Sequence, residues 1–147
     1  MNIDELEPKT KYKTEVFLDM DGVLADFFSA QAKLAHVPTY RDISPEQNEM
    51  TLNKMVGTNF FATLDKFDSA DQLVDMCIRI FGHYNICSSP LRGDFDNSER
   101  NKKIWIAEHL KKKLPLEIYI TPNKQQHAKQ PDGTPNILDR KSTRLNS

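Results

Sequence analysis

Asp19 and Asp21 stand one residue apart, directly after the short apolar run Val16-Phe17-Leu18 and directly before Gly22. Two carboxylates at that spacing past a strand end can face one mouth, and the glycine lets the backbone turn so that amides approach an anion. The chemistry such a pair suits is that of a phosphate and a metal ion. Two other readings use the same residues. Asp-Gly is a common turn former, and calcium loops also open on spaced aspartates. Here, however, alternating oxygen ligands do not continue past Gly22, and no glutamate stands at the closing position of such a loop. Two further groups suit a phosphate. Ser88 follows a second apolar run, although its place before Ser89-Pro90 equally suits a turn. Lys124 follows a third run, with Lys129 as its competitor further from the strand end. Arg92 and Lys103 are either phosphate or base contacts or, as most such residues are, solvated surface charges. His36, His83, His109 and His127 show no metal-ligand spacing.

For these residues to meet, the chain must bring several strand ends together. Thr14 to Met20 reads as a buried strand that breaks at Asp-Gly. Helical spacing over Val23 to His36 follows, carried by Leu24, Phe27, Phe28, Ala32 and Ala35 and closed by Pro38. Ser44-Pro45-Glu46-Gln47 predicts a helix start and Gly57 its stop. Ser69-Ala70-Asp71-Gln72 predicts a capping box for a helix running to Gly82. Tyr84 to Cys87 is a second strand, a helix spans about Asn97 to Lys112, Glu117 to Thr121 is a third strand, and Asn136 to Leu138 begins a fourth. Strand and helix in alternation predict an α/β fold with an open parallel sheet, Rossmann-like, whose site lies beyond the carboxyl ends of the strands. Residues 28–68 interrupt this pattern with helices only. They are expected to form a small cap inserted after the first strand, with 1–27 and 69–138 as the core.

Bulk properties narrow the class. Of 147 residues, 38% are apolar and 28% charged, a globular composition with room for one core. A formal net charge of −1 gives no basic excess for a duplex nucleic-acid binder. No stretch has the apolar length of a membrane helix. Two cysteines and a polar leader suggest a soluble protein of the reducing cytoplasm.

The segment Asp19-Met20-Asp21-Gly22-Val23-Leu24-Ala25-Asp26-Phe27 resembles the first motif of the haloacid dehalogenase superfamily. The chain is most similar to its small bacterial and phage 5'(3')-deoxyribonucleotidases. Asn59-Phe60-Phe61, Ile86-Cys87-Ser88-Ser89-Pro90 and Asn101-Lys102-Lys103-Ile104-Trp105-Ile106 carry the likeness further, which runs from about Lys13 to Leu138. The resemblance implies a phosphatase in which Asp19 attacks phosphorus and Asp21 protonates the leaving alcohol and then activates water. It implies magnesium held by an Asp19 oxygen and the Asp21 backbone carbonyl. Ser88 and Lys124 would bind the phosphoryl group with the Gly22 turn, and Phe27, Phe28, Phe60 and Phe61 would wall a nucleobase, with core packing as the alternative for each aromatic. The partner implied is a small phosphate ester, a deoxyribonucleoside monophosphate first. A phosphotransferase on another small ester and a non-catalytic phosphate- or nucleotide-binding module are the competing readings. The end of the chain departs from the family. The fourth-motif acidic pair is absent after Asn136-Ile137-Leu138, and residues 139–147 resemble a translated sequencing adapter, which leads us to expect a missing final strand and helix.

Overall fold

The computed structural model describes residues 14–127 and 135–139. Lys129, the competitor of Lys124, and most of the 139–147 tail lie outside the described residues, as does the leader. Four parallel strands form one sheet: β1 (Val16–Leu18), β2 (Asn85–Ser88), β3 (Ile118–Ile120) and β4 (Ile137–Asp139), in the order β3-β2-β1-β4. Among the described residues there are four α-helices: α1 (Phe27–Leu34), α2 (Pro45–Met55), α3 (Ala70–Phe81) and α4 (Phe95–His109). The fold is therefore α/β with a parallel sheet, as the alternation predicts. All three residues of β1 and all four of β2 are buried, the mark of strands covered on both faces. From β1 the chain moves outward to β2 and β3, then returns to the other side of β1 for β4. The order thus reverses beside β1, the place where open parallel sheets leave a crevice at their carboxyl ends.

Element boundaries follow local chemistry. α2 starts as expected. Ser44 Oγ accepts from the Gln47 amide at 3.1 Å, Gln47 Oε1 accepts from the Ser44 amide at 2.9 Å, and Pro45 occupies the first turn. α1 begins at Phe27 rather than Val23. The buried Met20 carbonyl accepts from the amides of Leu24 and Ala25 at 2.9 and 2.8 Å, which holds 21–25 in a tight turn, and Asp26 Oδ1 then caps the helix through the Ser29 amide. The capping box expected at Ser69 does not form. That residue has helical backbone angles and no side-chain cap bond, although α3 still starts at Ala70. Gly82, at φ 86°, closes α3 in the left-handed conformation. α4 ends at His109, so Lys111 to Lys113 lie past the helix and not in its last turn.

Between β1 and α3 the described elements are helical only: α1, α2 and short 3-10 turns at Tyr40–Asp42 and Phe60–Thr63. Met55, Phe61 and Leu64 from this stretch share one buried cluster with Val16 and Leu18 of β1, Ile86 of β2 and Trp105 and Ile106 of α4. Polar contacts reinforce that packing. The buried Trp105 indole N–H donates to the Leu64 carbonyl at 2.7 Å, and Asn97 Nδ2 donates to the Thr58 carbonyl at 2.9 Å.

Candidate active site

Asp19 directly follows β1, and its backbone leads into a turn built around Gly22. Gly22 sits at φ 80°, a conformation favouring glycine, and its amide donates to the Ala25 carbonyl at 2.9 Å. In this structure Gly22 therefore supplies the turn rather than a free amide for an anion. Ser88 is the last residue of β2, completely buried, and Lys124 opens the 3-10 turn Lys124–His127 that follows β3. The carboxyl ends of three adjacent strands thus deliver Asp19, Asp21, Ser88 and Lys124 to one place. Lys124 Nζ donates to Asp19 Oδ2 at 2.8 Å, which ties the ends of β1 and β3 across β2.

A fifth group completes the cluster. Lys102, on α4, is 1% exposed and its ammonium donates to Asp21 Oδ2 at 2.8 Å, to Ser88 Oγ at 2.9 Å and to the Ser89 carbonyl at 2.6 Å. The Phe61 ring covers it, with its centroid 4.7 Å from Nζ. Reading the sequence for charges singles out Arg92 and Lys103 instead. Lys103 is an exposed partner of Glu99 one helical turn away, and Arg92 is an exposed residue of the cleft wall. The signal for Lys102 was available in the helix register. Trp105 and Ile106 anchor the buried face, and Lys102, three positions before the one and four before the other, shares it. Ser98, Asn101 and Lys102 are buried for that reason, while Ile104 and Ala107 face out.

Burial pushes the Asp19 carboxyl above its ordinary value. Lys124 pulls it down and the nearby Asp21 charge pushes it up further. Asp21 keeps one oxygen, Oδ1, buried without a hydrogen-bond partner among the described residues. Burial makes the ionised form of the Asp19 carboxyl costly unless positive charge stands beside it.

No family model matches the chain, and no curated protein matches it.

A divalent cation is the cofactor that the first motif implies. Among the described residues no three His, Cys, Asp or Glu side chains gather into a cage. Magnesium commonly takes one or two carboxylates and completes its shell with carbonyl, water and substrate oxygens, and the buried Asp19 carboxylate, with the backbone carbonyl of Asp21 beside it, suits that demand. A cleft of about 800 Å³ opens beside Asp21 and Lys102, lined also by Ser89, Arg92, Phe27, Phe61 and Leu52. Phe27 and Phe61 stack 5.9 Å apart with nearly parallel rings. Of the four aromatics expected as a wall, these two line the cleft. Phe60 packs edge-on against both of them, and Phe28 packs against Phe27 and Tyr40, so the second pair buttresses the first. The four histidines have other surroundings: His83 pairs with Glu15, His109 stacks on Trp105, His127 lies against Phe17 and Tyr119, and His36 is an exposed residue at φ 58°.

Proposed function

We propose that the protein is a phosphomonoesterase of the haloacid dehalogenase type, dependent on magnesium and acting on deoxyribonucleoside monophosphates. The observation that carries this reading is the pairing of two aspartates past the carboxyl end of β1 with two separate lysines, Asp19 with Lys124 beyond β3 and Asp21 with Lys102 on α4, both at 2.8 Å. Two carboxylates at one mouth allow one to attack and the other to carry a proton, the division of labour that covalent phosphoryl transfer requires.

In the first step an Asp19 oxygen forms a bond to phosphorus while the bond from phosphorus to the alcohol oxygen breaks. A proton on Asp21 passes to that leaving oxygen. Oδ1 is the oxygen for this exchange, because Oδ2 is engaged by Lys102. In the second step water attacks phosphorus, its proton returns to Asp21, and the bond to Asp19 breaks to release inorganic phosphate. Lys124 offsets the charge gathering on the phosphoryl group and on Asp19, and the Ser88 hydroxyl donates to a phosphoryl oxygen. Bound magnesium would supply further neutralisation between the carboxylate and the incoming anion. The apolar pair Phe27 and Phe61, lining a cleft large enough for a nucleotide, supports a substrate with a flat base.

The test is phosphate release from a panel of phosphate monoesters with magnesium present. Deoxyribonucleoside monophosphates are expected to give the highest kcat/KM. Activity confined to sugar phosphates would overturn the substrate assignment, and no release from any ester would overturn the reaction class.

A further inference from the structure

We infer that Asn48 is a specificity-determining residue, a fixed hydrogen-bond donor that favours nucleotides whose base carries an oxo group over those with an amino group at the same ring position. The inference rests on the hydrolase reading above and names the base edge that the cleft takes. Side chains packed between α1 and α2 fix the orientation. Thr51, completely buried, gives its hydroxyl hydrogen to its own helix, where the Gln47 carbonyl lies at 2.8 Å and that of Asn48 at 3.0 Å. A hydroxyl has one hydrogen, so toward α1 its oxygen can only accept. Gln31 of α1, 3% exposed, meets that oxygen at 3.0 Å and must present its NH2 group, because its carbonyl oxygen would leave two acceptors facing each other. The same Gln31 nitrogen donates its other N–H to Asn48 Oδ1 at 2.8 Å. Asn48 thus turns its oxygen toward Gln31, and its own NH2 group has no acceptor among the described residues.

Asn48 lines the same cleft as Phe27 and Phe61. An amide free to rotate offers a base either its oxygen or its nitrogen and discriminates little. One held by a buried network offers the nitrogen alone. The oxo oxygens of thymine, uracil and guanine accept from such a donor, whereas the amino groups of cytosine and adenine are themselves donors and oppose it. Glu49, an acceptor that lines the same cleft, has no side-chain hydrogen bond to hold it among the described residues. The fixed group is therefore the one able to enforce a choice.

The test compares kcat/KM on thymidine 5'-monophosphate and on 5-methyl-2'-deoxycytidine 5'-monophosphate, which differ at the oxo and amino position and at the adjoining ring nitrogen. The wild-type chain is expected to prefer the thymine ester on the order of tenfold, the worth of one hydrogen bond gained rather than opposed. In Asn48→Asp one carboxylate oxygen still accepts from Gln31 while the other becomes an acceptor in the cleft, so the preference should reverse. Gln31→Leu frees the amide to rotate, and the ratio should fall to within about threefold of unity. A wild-type ratio within about twofold of unity, or an Asn48→Asp chain that keeps the wild-type ratio, would overturn the inference. So would a wild-type preference for the methylcytosine ester, which would make Glu49 the reader. A binding measurement on the wild-type chain covers variants that do not fold. With magnesium omitted, the thymine nucleotide should shift the 15N signal of the Asn48 side-chain amide more than the methylcytosine nucleotide does, and equal shifts would overturn the proposal. A wild-type chain that hydrolyses neither ester would remove the hydrolase reading alone, and the binding comparison would then decide this inference by itself.

Discussion

Burial disfavours the charged form of the Asp19 carboxyl, and the pull of Lys124 offsets this only in part. An amide in its place cannot form an acyl phosphate, so Asp19→Asn is expected to leave no more than a trace of turnover in a continuous phosphate-release assay. Asp21→Asn keeps the nucleophile and removes the proton carrier. A fall in kcat of roughly 100- to 10,000-fold is expected, and an unchanged rate would mean that the acid lies elsewhere. Both aspartates can be read from the sequence because strand, carboxylates and glycine are adjacent, and adjacency is what local patterns record. Lys102 is harder to read, since its partner Asp21 is 81 residues away and a lysine beside a second lysine looks like helix surface. Residue type and immediate neighbours do not distinguish it from Lys103. The helix register does, once Trp105 and Ile106 are taken to mark the inward face.

At the scale of elements, α4 joins the helical stretch to the sheet through Trp105, whose indole N–H meets the Leu64 carbonyl in a fully buried setting. Trp105→Phe keeps most of the apolar bulk but leaves that carbonyl without its donor. A loss of about 1–3 kcal/mol is expected in a denaturant titration. The turn after β3 has a different weakness. His127 lies 4.2 Å from the Tyr119 ring and 5.3 Å from that of Phe17, and burial lowers its pKa. A histidine whose folded pKa is depressed favours folding in its neutral form. That contribution is complete above the unfolded value, about 6.5, and is lost as pH falls through the lower folded value. The melting temperature of the wild-type protein should therefore fall on acidification below about pH 6.5 more steeply than that of His127→Gln, and parallel curves would exclude the histidine as the cause. Starts and stops of elements were legible where side-chain chemistry decides them, as at Ser44 and Gly82. They were misread where backbone bonding decides, as at 23–26, where the Met20 carbonyl gathers amides that helical spacing had assigned to α1. The unformed box at Ser69 has the same lesson: a capping sequence permits the bond, and the backbone angle at the cap determines whether it forms.

Among the described residues one buried cluster runs from the sheet into the helical stretch, and this bears on how the molecule unfolds. A separately stable cap would melt apart from the core, whereas a shared core predicts a single transition. Trp105, the sole tryptophan, sits at the junction, so its fluorescence and far-ultraviolet circular dichroism should report coincident melting curves. A fluorescence change preceding loss of helix signal by several degrees would show that the two parts separate. The order β3-β2-β1-β4 has a further consequence, one that belongs to synthesis and not to the finished fold. β1 is among the first described residues to leave the ribosome, yet one of its two neighbours is among the last, and the Glu15 amide meets the Asn136 side chain across 121 positions. At about 5–20 residues per second, that separation corresponds to a wait of roughly 6 to 24 s. Throughout it, one edge of the most apolar strand has no partner from its own chain, so the nascent protein is most exposed to aggregation and most in need of a chaperone during the interval before β4 arrives.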